Sequence, residues 1–95
     1  MNNEIIKQKV KEVLENIKEF NKLDKERKKI YKKIEVIPDE KYQIRVELRK
    51  KYSQLKHIFK EYKEKKCEYE LEKKDIEKLK EYINKFNKYL ENKLN

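Results

Sequence analysis

The sequence predicts an all-α protein built as a long antiparallel helical hairpin or coiled coil. Apolar or aromatic side chains recur every seven residues through its second half. The repeat comprises Leu48, Leu55, Tyr62, Tyr69, Ile76, Ile83 and Leu90. The chain also has no glycine and one proline, so few positions favour the end of a helix. A seven-residue repeat of this length is typical of a helix that buries one face against another helix.

The composition favours narrow apolar stripes over a large globular core. Of the 95 residues, 49% are charged and 36% are hydrophobic. A chain of this length forms one domain with a thin core, so we expect it to gain stability by self-association, as a homodimer. No segment is apolar enough to cross a membrane, and the single Cys67 does not suggest a disulfide framework. These observations predict a cytoplasmic protein without a membrane partner.

The first helix is predicted from about residue 3 to about residue 35. Its apolar positions follow steps of three and four residues. They are Ile6, Val10, Val13, Ile17, Phe20, Leu23, Ile30, Ile34 and Ile37. Pro38 disfavours helical geometry at the residue before it, which places a turn at residues 36–39. Pro38 is suited to an early position of the next helix, with Asp39 and Glu40 in its first turn.

The second helix is predicted from about residue 39 to about residue 94, in two apolar seams. The helix-packing residues are Leu48, Tyr52, Leu55, Phe59, Ile76, Leu79, Ile83, Phe86 and Leu90. Aromatic residues at this spacing, including Tyr62 and Tyr69, are interpreted as packing residues. An unbroken helix from Asp39 to Leu94 would be about 84 Å long. The first helix is too short to cover it, so the rest of the second seam would need another subunit.

The alternative is a three-helix bundle with a break near residues 67–75. The apolar stripe shifts by one residue there, and Lys66 and Lys73 occupy seam positions. Asp75 would then cap a third helix. The absence of glycine or proline in this segment favours the continuous helix, whereas the closure of a monomeric core favours the bundle.

The positive charge is concentrated in the middle of the chain. The net charge is +9, and residues 25–66 hold sixteen Lys and Arg against seven acids, which accounts for all of it. Basic side chains on one face of a helix suit an anionic partner such as a nucleic-acid backbone. The candidate residues for such a partner are Arg45, Arg49, Lys56, Lys60 and Lys63, with Lys28, Lys29 and Lys32 on the first helix.

Two function classes follow, and neither is enzymatic. The first is a helical protein-interaction or assembly adaptor that uses its apolar seams. The alternative is a sequence-nonspecific nucleic-acid-binding protein, because a lysine-rich face without base-reading chemistry contacts mainly phosphates. His57 is the only histidine, and no second histidine or cysteine lies at metal-ligand spacing. We therefore predict no catalytic residue, no metal and no cofactor.

Overall fold

The computed structural model describes residues 2–95, which form three α-helices. Helix α1 comprises Asn2–Glu35, α2 comprises Tyr42–Lys65 and α3 comprises Lys73–Leu94, with short 3₁₀ turns at Asp39–Lys41 and Glu68–Glu70. Each helix packs against the other two. The molecule is elongated, with dimensions of 63 × 23 × 17 Å. The predicted all-α class is confirmed.

The prediction of one continuous helix from residue 39 to residue 94 is wrong, because the chain breaks into α2 and α3. The break falls where the alternative placed it, between Lys65 and Lys73. Because the chain folds back at this point, the apolar seam of α3 is buried against α1 and α2. Each buried apolar side chain contributes about 1.5–3 kcal/mol, so the five on α3 outweigh the cost of interrupting a helix that lacks a breaker residue. The α3 seam is therefore covered without another subunit.

The connection between α2 and α3 is held by a capping box. Glu72 is the N-cap of α3, and the carboxylate of Asp75 accepts a hydrogen bond from the Glu72 backbone N–H at 3.2 Å. Lys66 Nζ lies 3.0 Å from the same carboxylate oxygen. Asp75 therefore caps α3 as predicted, but it does so as the third residue of the helix, whereas Glu72 occupies the N-cap position. Lys66 and Asp75 form an ion pair that joins the two sides of the connection.

Cys67 adopts a backbone conformation that a side chain disfavours. Its φ is 24° and its ψ is 142°, and it is the one non-glycine residue with positive φ among residues 2–95. Glycine lacks the Cβ that makes this region costly. We expect Cys67→Gly to raise the free energy of unfolding by about 1 kcal/mol, which chemical denaturation would measure. Cys67→Ala, which keeps the Cβ, is the control and should leave the stability nearly unchanged.

The connection between α1 and α2 lies close to its predicted position, but α2 begins later in the chain than expected. The chain turns at Val36–Pro38, and Asp39 and Glu40 belong to the 3₁₀ turn rather than to α2. Arg45 donates hydrogen bonds at 3.4 Å to the Ile37 carbonyl oxygen and to the Asp39 carboxylate. Helix α2 begins at Tyr42, and these bonds tie its first turn to the connection that precedes it.

One apolar core runs along the three helices. The nine helix-packing residues predicted on α2 and α3 are all buried. The core also contains Phe20, Leu23, Ile30, Ile34, Ile37 and Leu71. Tyr69, which the repeat places in the seam, is 60% exposed because it lies in the 3₁₀ turn after the break. Leu71 takes the buried place instead.

Helix α1 extends beyond the other two helices at its N-terminal end. It has 34 residues, against 24 in α2 and 22 in α3. Its buried residues begin at Phe20, so the predicted seam from Ile6 to Ile17 is not part of the core. The expectation that the first helix is too short is wrong, since α1 overhangs. None of the helices described, from residue 2 onward, has the length and apolar character that a membrane span requires.

Candidate functional site

The overhanging part of α1, here called the arm (residues 2–17), presents apolar side chains to solvent. Ile6 is 58% exposed, Val10 is 53% exposed and Leu14 is 60% exposed, while Val13 and Ile17 are partly buried. These five residues, here called the apolar stripe, project within about 50° of one direction at 100° per residue. Scattered exposed apolar residues are ordinary on a protein surface, but a continuous stripe indicates an interaction site.

The apolar stripe continues the face of α1 that contacts α2. Just beyond it, Phe20 packs against Phe59 of α2 with ring centroids 5.8 Å apart. One helical turn later, Asp24 accepts a hydrogen bond from Lys63 of α2. Because α2 ends at Lys65, the stripe has no helix opposite it in the monomer. The arm is thus an extension of a helix-packing surface without its packing partner.

The loop before α3 fixes the base of the arm. The side-chain amide of Asn16 donates a hydrogen bond of 2.9 Å to the Leu71 carbonyl oxygen. On this side, a cleft of about 1260 Å³ lies between the arm and the start of α3. Its lining includes acidic and basic residues of both helices, so it has no single charge character. The Asn16 contact holds the direction in which the arm leaves the bundle.

Both arginines among the basic residues predicted to bind an anionic partner are paired with acidic side chains. Arg49 donates two hydrogen bonds to Glu35 Oε1, at 3.0 and 2.7 Å, and one of 2.9 Å to Oε2. Arg45 pairs with Asp39, and its side chain is only 18% exposed. The Arg49 hydrogen bonds hold the pKa of the Glu35 carboxyl below its ordinary value. Both arginines therefore have acidic partners near the α1–α2 turn.

The predicted lysines divide into paired and unpaired groups. Lys63 contacts Asp24 at 2.8 Å, Lys60 lies 3.9 Å from Glu64, and Lys28 lies 3.9 Å from Asp24. Within residues 2–95, the structure gives no ion pair to the others. These are Lys29, Lys32 and Lys56, all exposed. The first two lie on the outer side of α1 and the third lies on α2.

A buried polar cluster at the α1–α2 contact was not predicted. Arg27 Nε donates to Asp24 Oδ1 at 2.8 Å, and Arg27 Nη1 donates to the Tyr52 hydroxyl at 2.7 Å. Lys63 Nζ donates to Asp24 Oδ2 at 2.8 Å. Burial acts to raise the pKa of the Asp24 carboxyl, but these bonds from Lys63 and Arg27 hold it below its ordinary value. Asp24 and Arg27 sit on the α1 seam three residues apart, a spacing that would have indicated the pair.

The residues with reactive side chains are dispersed on the surface. His57 is exposed and lies 3.5 Å from Glu61 on the next turn of α2. Cys67 is free and exposed. Over the described part of the chain, no group of three or more His, Cys, Asp or Glu is placed to hold a metal ion.

Comparison of the chain with protein-family models, with curated proteins and with solved structures found no match.

Proposed function

We propose that this protein is a small non-enzymatic helical assembly adaptor that self-associates through the apolar stripe of its arm. The observation that carries the proposal is the exposure of Ile6, Val10 and Leu14 on a helix face that elsewhere packs against α2. Burying this stripe against a second helix would recover the hydrophobic free energy that the monomer leaves unused.

A second copy of the chain suits the stripe in an antiparallel arrangement. Ile6 then faces Ile17 of the second copy, and Val10 faces Val13 of the second copy, in successive layers of a short helix pair. Of the flanking lysines, Lys7 faces Leu14 of the second copy. Lys9 likewise faces an uncharged residue, Asn16. No like charges meet across the pair.

The charge distribution supports the same arrangement. The arm carries three lysines and three glutamates, so it is neutral, whereas the net charge of +9 arises from residues 25–66. An antiparallel pair of arms places the two positively charged bodies at opposite ends. A parallel pair would bring those bodies side by side, where they repel each other.

The test is the oligomeric state measured by sedimentation. We expect the parent to form a dimer with a dissociation constant on the order of 10–100 μM, as fits the burial of a few half-exposed aliphatic side chains. Val10→Glu should weaken the dimer at least about tenfold, because it places a charge in the central layer. Gln8→Glu adds the same charge on the opposite side of the arm and should leave the dimer intact.

Two results would contradict this proposal. One is a parent protein that stays monomeric at a concentration of about 1 mM. The other is equal weakening by Val10→Glu and Gln8→Glu, which would indicate a general charge effect instead of a specific apolar contact.

A further inference from the structure

The outer side of α1 carries a straight row of lysines that have no acidic partner. The row, here called the lysine row, consists of Lys7, Lys11, Lys18, Lys22, Lys25, Lys29 and Lys32. At 100° per residue, all seven project within about 40° of one direction, away from the buried side chains of α1. Lys18, Lys22 and Lys25 also border the cleft beside the start of α3. All seven are exposed. From the first to the last, the row is about 38 Å long.

The lysine row differs in its pairing from the two arginines of α2 and from the ion-paired lysines of α2 and α3. Within residues 2–95, ion pairs involve Lys60 and Lys63 on α2, Lys80 and Lys85 on α3, and both arginines of α2, but none of the seven lysines of the row. Acidic residues on α1 mostly lie toward one edge of the row, as Glu19 and Glu26 do. The row is therefore a line of exposed ammonium groups that are not engaged in ion pairs within residues 2–95.

We propose that the lysine row binds the phosphate backbone of a nucleic acid, with no preference for base sequence. Successive lysines lie about 4.5–10.5 Å apart along the helix, and the row spans about 11 phosphates of one strand at 3.4 Å each. Lysine is a compact point charge that neutralises phosphates and releases their counterions. The row contains no aromatic side chain for base stacking, so the binding free energy comes from the phosphates.

A linear polyanion suits the row better than an anionic membrane does. Amphipathic helices that lie on membranes insert an apolar face beneath their lysines. From Lys18 to Lys32, the apolar face of α1 is covered by α2 and α3 and includes the buried Phe20 and Ile30. That part of the row has no apolar face free to enter a bilayer, whereas contact with phosphates along a strand needs only the exposed ammonium groups.

The experiment measures binding to a labelled oligonucleotide of about 20 nucleotides, as a single strand and as a duplex, between about 25 and about 200 mM KCl. For the parent, log K should fall linearly with log salt concentration. The slope should be about −5 for the single strand if all seven lysines contact phosphates. The duplex should give a somewhat steeper slope if the same contacts form.

Two triple variants with equal charge changes separate the row from net charge. Lys18→Gln, Lys25→Gln and Lys32→Gln together remove three row lysines outside the arm, so sedimentation of this variant should match the parent. We expect its affinity to fall at least about tenfold at low salt and its slope to decrease by about 2. The control replaces three exposed, unpaired lysines of α3 by glutamine, namely Lys73, Lys78 and Lys88. The affinity of the control variant for the oligonucleotide should fall by no more than about threefold.

Three results would overturn the proposal. They are the absence of parent binding at the lowest salt concentration, equal losses in the two triple variants, and row-dependent binding to phosphatidylserine vesicles that is tighter than binding to the oligonucleotide. Circular dichroism of each variant would verify that the helices are intact. The row variant keeps every residue of the arm. We therefore expect it to dimerise like the parent even when it no longer binds the oligonucleotide.

Discussion

Phe59→Ala is expected to lower the free energy of unfolding by about 3–5 kcal/mol. Phe59 is 1% exposed, packs against Phe20 and lies beneath the Arg27 guanidinium, whose carbon is 5.8 Å from the ring centroid. Its removal opens a cavity where α1 contacts α2. A domain of this size has a total stability of about 5–14 kcal/mol, so the loss removes a large part of it. Urea denaturation followed by circular dichroism would measure the change.

Tyr69→Ala is the matched control for this prediction. It truncates another aromatic residue, but Tyr69 lies in the 3₁₀ turn and is 60% exposed. We expect its effect to stay within about 0.5 kcal/mol. Leu55→Ala, Ile83→Ala and Phe86→Ala should each cost about 2–5 kcal/mol, since all three residues are buried. Equal melting temperatures for Phe59→Ala and Tyr69→Ala would contradict the assignment of the core.

The positions of the core residues could be predicted because burial in a helix leaves a period in the sequence. Leu48, Leu55, Ile76 and Ile83 follow that period and are buried. Tyr69 follows it too but is exposed, because a repeat does not reveal whether the helix that carries it continues. The break after Lys65 depends on contacts that α3 makes with distant residues, whereas the local sequence contains no glycine or proline to signal it.

The pairing of charges could not be predicted for a similar reason. Arg49 and Glu35 are 14 residues apart, and Lys63 and Asp24 are 39 residues apart. Only the packing of α2 on α1 brings these groups together. Helical periodicity groups the basic residues on faces, but it does not identify which of them have an acidic partner on a neighbouring helix. Periodicity therefore favours the arginines of α2, whereas the predicted lysines without an ion pair within residues 2–95 include Lys29 and Lys32 of α1.

The overhang of α1 depends on the relative lengths of all three helices. Periodicity correctly groups Ile6, Val10, Val13 and Ile17 on one face of α1, in line with Phe20. Whether that face is covered is decided by where α2 ends and α3 begins. Once the break shortens α2 to Lys65, the arm extends past the end of its neighbour. The stripe predicted as core is thereby left as a surface.

The second large effect is expected at the buried ion pair. Asp24→Ala should lower the free energy of unfolding by about 3–5 kcal/mol, because it leaves the Arg27 guanidinium buried without its counter-charge. Arg27 is 9% exposed, so solvent does not replace the carboxylate. A variant that replaces the three buried members of the cluster, Asp24→Leu with Arg27→Met and Tyr52→Phe, should recover most of the loss, because its remaining member, Lys63, is exposed.

The same cluster predicts how stability depends on pH. In the folded protein the pKa of the Asp24 carboxyl is below its ordinary value, because the hydrogen bonds from Lys63 and Arg27 outweigh the effect of burial. The pKa of the Asp75 carboxyl is also lowered, because the hydrogen bonds from Lys66 and from the Glu72 backbone N–H outweigh the effect of its burial. A carboxyl whose pKa is lowered by folding stabilises the protein at any pH above the pKa that it has in the unfolded chain. That contribution is lost as the pH falls through the pKa of the folded state.

Urea midpoints measured at neutral pH and at successive values below about pH 4 would test this dependence. The parent should lose stability more steeply than the triple variant, which keeps the Asp75 contribution but lacks that of Asp24. If the urea midpoints of the two proteins fell equally with decreasing pH, Asp24 would not control the loss of stability in acid. A change of less than about 1 kcal/mol for Asp24→Ala at neutral pH would contradict the burial of an uncompensated charge, since such a loss is typical of an exposed ion pair.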